Sequence, residues 1–158
     1  SLKIKRTIGD RNGEANSLGG LGWAYSSLGD HKQAIEYHEQ NLKIKRAIGD
    51  RNGEANSLGK LGLAYYSLGD YKQAIKYHQQ SLEIARSIKD RKEEGYSLGN
   101  LGLAYHSLKD YQQAINYQQQ WLVIARTIND RFSEGSSLNN LGLAYLDTGN
   151  PKQAETYL

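Results

Sequence analysis

The sequence predicts an all-α fold, a solenoid of antiparallel helix pairs, and three observations carry that reading. A phrase returns every fortieth residue: Ser1-Leu-Lys-Ile-Lys-Arg-Thr-Ile-Gly-Asp is echoed from Asn41, Ser81 and Trp121. A fixed period of this length marks a repeat architecture, in which each unit contacts its neighbours and the stack presents one elongated surface. Within each unit the apolar residues fall at helical spacing. Gly-Asp pairs punctuate the pattern where one helix must stop and the next must start.

Taken in order, residues 1–8 read as the end of a helix B. Full helix pairs are expected at 13–48, 53–88 and 93–128, and 133–158 reads as a helix A with a truncated helix B. Helix A is lined by Leu18, Leu21, Gly22, Tyr25 and Leu28, at i, i+3, i+4, i+7 and i+10. Gly29 suits the left-handed position after a helix end, where a Cβ would clash. Asp30 then caps helix B, and Gln33 is placed to reach back in a capping box. The same pairing recurs as Asp70 with Gln73, Asp110 with Gln113 and Asn150 with Gln153. Pro151, the single proline, stands at a first helical position, where its missing N–H costs little. Helix B is expected from about His31 to Ile48, with an apolar face wide enough for two neighbours. A link at Gly49-Asp50-Arg51-Asn52-Gly53 follows, with Asp50 or Asn52 as the cap of a helix A beginning near Glu54. Gly22, Gly62, Gly102 and Gly142 are expected to let helix A approach helix B, with Ala34, Ala74, Ala114 and Ala154 as small partners. Lys109 replaces the turn glycine of the third unit, at a cost of about 1 kcal/mol if φ there is positive.

Bulk properties fit a thin stack. The 158 residues are 38% hydrophobic and 23% charged, with net charge +3 and no cysteine. Disulfides and thiolate chemistry are excluded, and a cytoplasmic setting is expected. No long apolar run occurs, so neither a membrane span nor a signal peptide is expected. Only the second unit is basic, with seven basic and three acidic residues, too few for a nucleic-acid footprint. The chain opens inside a repeat without an initial Met, and so reads as a slice of a longer array. Its ends are complementary, so copies are expected to stack head to tail through exposed terminal repeats.

No catalytic constellation stands out, and no enzyme activity, metal or cofactor is expected. His38 and His78 lie a repeat apart, too far for one zinc ion, and read as packing residues. No Ser, His and Asp are placed as a triad. Leu-Gly-x-Leu-Gly lacks the strand that a nucleotide loop needs. The Lys-Ile-Lys-Arg runs at 3–6 and 43–46 read as a solvated helix B face. Arg11, Arg51, Arg91 and Arg131, each after an acidic residue, point to inter-repeat structure, and most of the twelve tyrosines read as packing.

These residues resemble the tetratricopeptide repeat. Its pattern is matched by Leu18, Leu21-Gly22, Tyr25, Ala34 and His38, by Leu58, Leu61-Gly62, Tyr65, Ala74 and His78, and by the corresponding residues of units three and four. The usual proline is replaced by Arg46, Arg86 and Arg126, so helix B runs on and the period lengthens to forty. Long variants of this kind resemble Pins-type adaptors and kinesin light chains. Gly-Asp-Arg, Leu-Gly-Asp-Tyr and Ala-Ile-x-Tyr-His also resemble repeats of large bacterial, especially cyanobacterial, signalling proteins. The resemblance implies a right-handed superhelix and a protein-binding scaffold whose partner is a protein or peptide, with no nucleic acid and no membrane. A structural or self-associating spacer, or a signalling-peptide receptor module, is the alternative.

The resemblance also implies that A helices line a concave groove. The groove rows would be Asn16, Asn56, Tyr96 and Ser136; Gly20, Lys60, Asn100 and Asn140; Trp23, Leu63, Leu103 and Leu143; and Ser26, Tyr66, His106 and Leu146. Lys60, Asn100 and Asn140 would hold a peptide backbone or carboxylate. Trp23, Leu63, Leu103 and Leu143 would form side-chain pockets, with Tyr66, Tyr96 and His106 around them. Gly19, Gly59 and Gly99 would leave room for a close-lying chain. Two alternatives stay open: the leucines pack between A helices, and the asparagines bond across them.

Overall fold

A seventeen-residue helix closed by a three-residue turn is the building step of this chain, and two such steps make the forty-residue period. The computed structural model describes residues 10–158. In order, the described helices are α1 (Arg11–Ser27), α2 (His31–Ala47), α3 (Arg51–Ser67), α4 (Tyr71–Ser87), α5 (Arg91–Ser107), α6 (Tyr111–Thr127), α7 (Arg131–Asp147) and the short α8 (Pro151–Ala154). The expected end of a helix B at 1–8, its basic run at 3–6 and the N-terminal side of any head-to-tail contact lie outside the described residues.

Every turn is built alike, which corrects the expected five-residue link. In the first, Gly29 N–H donates to Ser26 O at 3.1 Å and Asp30 N–H to Tyr25 O at 2.9 Å, a Schellman stop. Asp30 is at once the residue after that stop and the cap of the next helix, its Oδ1 accepting from Gln33 N–H at 3.1 Å. Between α2 and α3, Gly49 and Asp50 repeat the arrangement, and Asp50 accepts from Gly53 N–H at 2.8 Å. Helix A therefore begins at Arg51, not near Glu54. The reciprocal half of the capping box is replaced: Gln33 Nε2 donates to Glu36 Oε2 instead. Asn150 makes no side-chain cap, its amide bonding Gln153 Oε1 at 3.3 Å.

Each helix pair closes on a tyrosine stack: Tyr25–Tyr37, Tyr65–Tyr77, Tyr105–Tyr117 and Tyr145–Tyr157, with ring centroids 5.3–5.5 Å apart. The glycine of helix A has a larger partner than the expected alanine. A Cβ on Gly22 would lie 2.6 Å from the His38 ring and on Gly62 2.5 Å from His78, and one on Gly142 would meet Leu158. The bare backbone thus houses the bulky residue four positions beyond the alanine.

Between pairs, the core is filled by Leu58, Leu61, Leu98, Leu101 and Leu141, all 0–1% exposed. The arginines that replace the family proline hold this junction. Arg86 Nε donates to Glu94 Oε1 at 3.0 Å, while Glu94 Oε2 accepts from Arg91 at 2.8 Å. Arg46, Glu54 and Arg51, and Arg126, Glu134 and Arg131, form the same bridge. Lys45 corrects the expectation of a solvated basic face: it is 7% exposed, and its Nζ donates to Asn12, Asn16 and Asp50. Successive A helices also touch, α3 with α5 and α5 with α7, so they line the inner curve of the stack.

Candidate functional site

The inner curve is a polar trough with an apolar continuation. Lys60 (α3), Asn100 (α5) and Asn140 (α7) stand half-buried, and no hydrogen bond or ion pair engages their side chains. Of the groove asparagines, Asn16 is the exception: its Oδ1 accepts from Lys45 Nζ at 3.1 Å. The asparagines at 56, 100 and 140 are therefore not used up between A helices.

Trp23, Leu63, Leu103 and Leu143 remain between 37% and 64% exposed, so the ladder is not absorbed into packing between helices. Tyr96 is 47% exposed. Lys60, Leu63, Tyr96 and Asn100 share one cleft of about 200 Å³ with His78 and Glu93. Leu103, His106, Asn140 and Leu143 surround a smaller pocket of about 50 Å³. Trp23 is the member of the row on α1.

Tyr66 and His106 are engaged otherwise than expected. The Tyr66 hydroxyl lies 3.0 Å from Ser107 Oγ, and its ring packs on Tyr71. His106 Nε2 lies 2.8 Å from Asp147 Oδ2, and its ring meets Tyr111 edge-on. Both residues tie one A helix to the next. The glycines beside the rows also serve the frame: a Cβ on Gly19 would lie 2.7 Å from Asn41 Nδ2, and one on Gly99 2.9 Å from the Trp121 ring.

A cleft of about 610 Å³ opens over the first two helix pairs, with the start of α5 on its wall, and contains residues outside the expected groove rows. His38, Asn41, Asp90 and Glu93 join Asn56 and Lys60 on its wall. Glu93 Oε1 accepts from Ser81 Oγ at 3.0 Å, and Ser97 donates to Ser81 in turn. Burial pushes the Glu93 carboxyl above its ordinary value, more than the Ser81 hydrogen bond and distant Lys60 pull it down. His38 and His78 are 1–2% exposed, and burial lowers each imidazole to about 4, with Lys60 adding to the effect at His38. Both rings are neutral at pH 7. A signal for these residues exists in the repeats: the position of Glu93 is Gly13, Gly53 and Ser133 elsewhere, and that of Asn41 is Ser81 and Trp121.

The trough offers amides, a free ammonium and apolar steps along an open surface. Among the described residues no cluster of three His, Cys, Asp or Glu is placed to hold a metal ion, and no helix is long and apolar enough to cross a membrane.

The profile described as tetratricopeptide repeat matches residues 1–47, 27–87, 53–127 and 93–158. No curated protein matches the chain. Among solved structures it is similar to BtubC from P. vanneervenii, at 21% identity and TM-score 0.88 over 96% of this chain and 63% of that one. A putative kinesin light chain repeat protein from Podosopora anserina superposes with TM-score 0.80 at 21% identity, over 99% and 76% of the two chains. A Rap protein complexed with Competence and Sporulation Factor superposes with TM-score 0.84 at 18% identity, over 95% of this chain and 42% of that one. The chain thus spans less than two thirds of the BtubC and Rap structures.

Proposed function

The chain belongs to the tetratricopeptide repeat family, and on that premise we propose that it is a protein-interaction scaffold holding an extended peptide or partner segment in the groove of its A helices. The observation that carries this reading is the row Lys60, Asn100 and Asn140, half-buried on three successive A helices with no intramolecular side-chain partner. An asparagine can donate to and accept from one peptide unit at once, and a row of them reads backbone rather than sequence. The exposed ladder of Leu63, Leu103 and Leu143 beside it supplies side-chain contacts. The Rap protein, of similar fold, is complexed with Competence and Sporulation Factor, which supports partner binding as the role of such a stack.

A second reading is a spacer whose groove has no separate ligand. It draws on Tyr66 and His106, which are occupied between A helices. The two readings separate in one experiment. Peptides are selected from a random twelve-residue display library, then titrated against Asn100→Ala and Asn140→Ala. Loss of one neutral hydrogen bond, about 1 kcal/mol, predicts roughly fivefold weaker binding for each variant. Unchanged affinity in both would remove the groove assignment and favour the spacer.

A further inference from the structure

We propose that the cleft over the first two helix pairs receives a basic side chain of the bound peptide, with Glu93 as its counter-ion and Asn41 as a flanking acceptor. The proposal rests on the groove reading above and names the chemistry of one position within it.

The charges of the cleft are unevenly satisfied. Lys45 is closed off by Asp50, Asn12 and Asn16. Asp90 is spent on capping α5, its Oδ1 accepting from Lys92 and Glu93 N–H. Glu93 is different. Its one protein donor is the Ser81 hydroxyl, whose single proton is also within reach of Ala55 O at 2.9 Å, and among the described residues it forms no ion pair. A carboxylate has about four lone-pair sites, and partial burial removes the water that would fill them. The frame does not require this carboxylate, since the equivalent positions are Gly13, Gly53 and Ser133.

Two further groups on the same wall lack partners. Asn41 is 8% exposed and its Oδ1 is unbonded; its Nδ2 is turned to the bare backbone at Gly19. His38 is 2% exposed and its Nδ1 is unbonded. That nitrogen is turned to the bare backbone at Gly22, 2.7 Å from where a Cβ would stand, so the ring only closes the wall. The wall therefore offers a carboxylate and, beside it, an amide oxygen, both acceptors. A guanidinium, with five N–H donors, or an ammonium, with three, matches that set.

An anion is the poorer guest. Lys60 would attract it, but Glu93 and Asp90 line the same cleft. Lys60 makes no contact with Glu93 within ion-pair distance, and is free to meet a carbonyl or acidic residue further along the same peptide.

The test compares the random-library selection for the wild-type chain, Glu93→Gln and Lys60→Gln, each checked for folding by circular dichroism. Gln at 93 can keep the Ser81 bond, so the fold is retained. The expected result is one position enriched in Arg or Lys among wild-type binders. The selected peptide then binds Glu93→Gln at least tenfold more weakly. Replacing its Arg by citrulline weakens the wild type to a similar degree and the variant no further. Lys60→Gln should keep or strengthen the basic preference. Binders that depend on Asn100 and Asn140 but show no basic position would overturn the inference and leave the groove reading intact. So would a basic preference unchanged in Glu93→Gln. A preference seen only in Lys60→Gln would mean that Lys60 closes on Glu93, and would also overturn it. Absence of any groove-dependent binder would overturn the groove reading and this inference with it.

Discussion

Lys109 stands at φ +62° where the other A–B turns have Gly29, Gly69 and Gly149 at +73° to +84°. A side chain in that region costs about 1 kcal/mol, so Lys109→Gly should raise the melting temperature by roughly 2–4 °C in a chain of this size. No rise in a thermal melt would place the strain elsewhere. The same contrast separates two helical glycines. A Cβ at Gly20 meets nothing within 4 Å, so Gly20→Ala should stabilise by up to ~1 kcal/mol through helix propensity. A Cβ at Gly62 would lie 2.5 Å from the buried His78 ring, so Gly62→Ala should destabilise despite better propensity. Denaturant melts of the two variants shifting the same way would contradict this. His38 and His78 add a pH dependence. The unfolded chain binds these protons near 6.5, the folded chain only near 4. Between those values the unfolded state holds more protons, so stability is full above pH 6.5 and falls as pH drops toward 4, by at most about 3 kcal/mol per histidine. Gln118 fills the same site in the third pair, bonding Gly99 O at 3.1 Å. His38→Gln with His78→Gln should flatten the melting temperature across that window; an unchanged slope would assign it to other groups. The turn at Lys109 was legible because position in a repeat fixes backbone geometry. The His38 partner of Gly22 was not, since the sequence shows only that something small is needed, not what fills the space.

The helix as an element was legible throughout: periodicity gave each one, and only the B–A link was expected to be longer than the structure makes it. The sequence concealed the seam between pairs, because its residues are variable and come from different helices. At the first seam Lys45 lies over Gly53, where a Cβ would meet Lys45 Cδ at 2.5 Å. At the second seam the equivalent positions are a buried Ala85 and Glu93, and at the third a buried Ala125 and Ser133. Large and small residues thus trade places across one junction. Gly53→Glu alone should therefore be strongly destabilising, while Lys45→Ala with Gly53→Glu should recover much of the loss by rebuilding the second seam in the first. A double-mutant cycle with no coupling would refute the exchange. The arginine bridge is the constant part of the same junction. The Glu94 side chain is 7% exposed between Arg86 and Arg91, so Glu94→Gln should cost on the order of 1–2 kcal/mol in a denaturant melt. An effect no larger than at the more open Glu134 would remove burial as its cause.

At the scale of the whole molecule, constant positions build the frame and variable ones gather on its inner curve. That division made the groove readable from one sequence. The cleft chemistry at Glu93 and Asn41 was less so, because it joins the first turn of one A helix to the middle of a helix B more than forty residues away. A frame whose contacts run between chain neighbours also has a consequence for stability. Each pair is held by those beside it, so opening free energies should vary along the stack rather than equal one global value. Leu58, Leu61, Leu98 and Leu101 are closed on both sides by neighbouring helices. Toward the other end Leu146 is 46% exposed, Leu158 is 68% exposed, and α8 spans four residues. Native-state hydrogen exchange should thus show the strongest protection in α3 to α5, less in α7 and least in α8. Glu94→Gln, which loosens the junction of α4 with α5, should lower protection in those two helices more than in α7. Uniform protection, lowered equally everywhere by that substitution, would mean that the chain opens as one cooperative unit and that its stability is not a sum over neighbouring pairs.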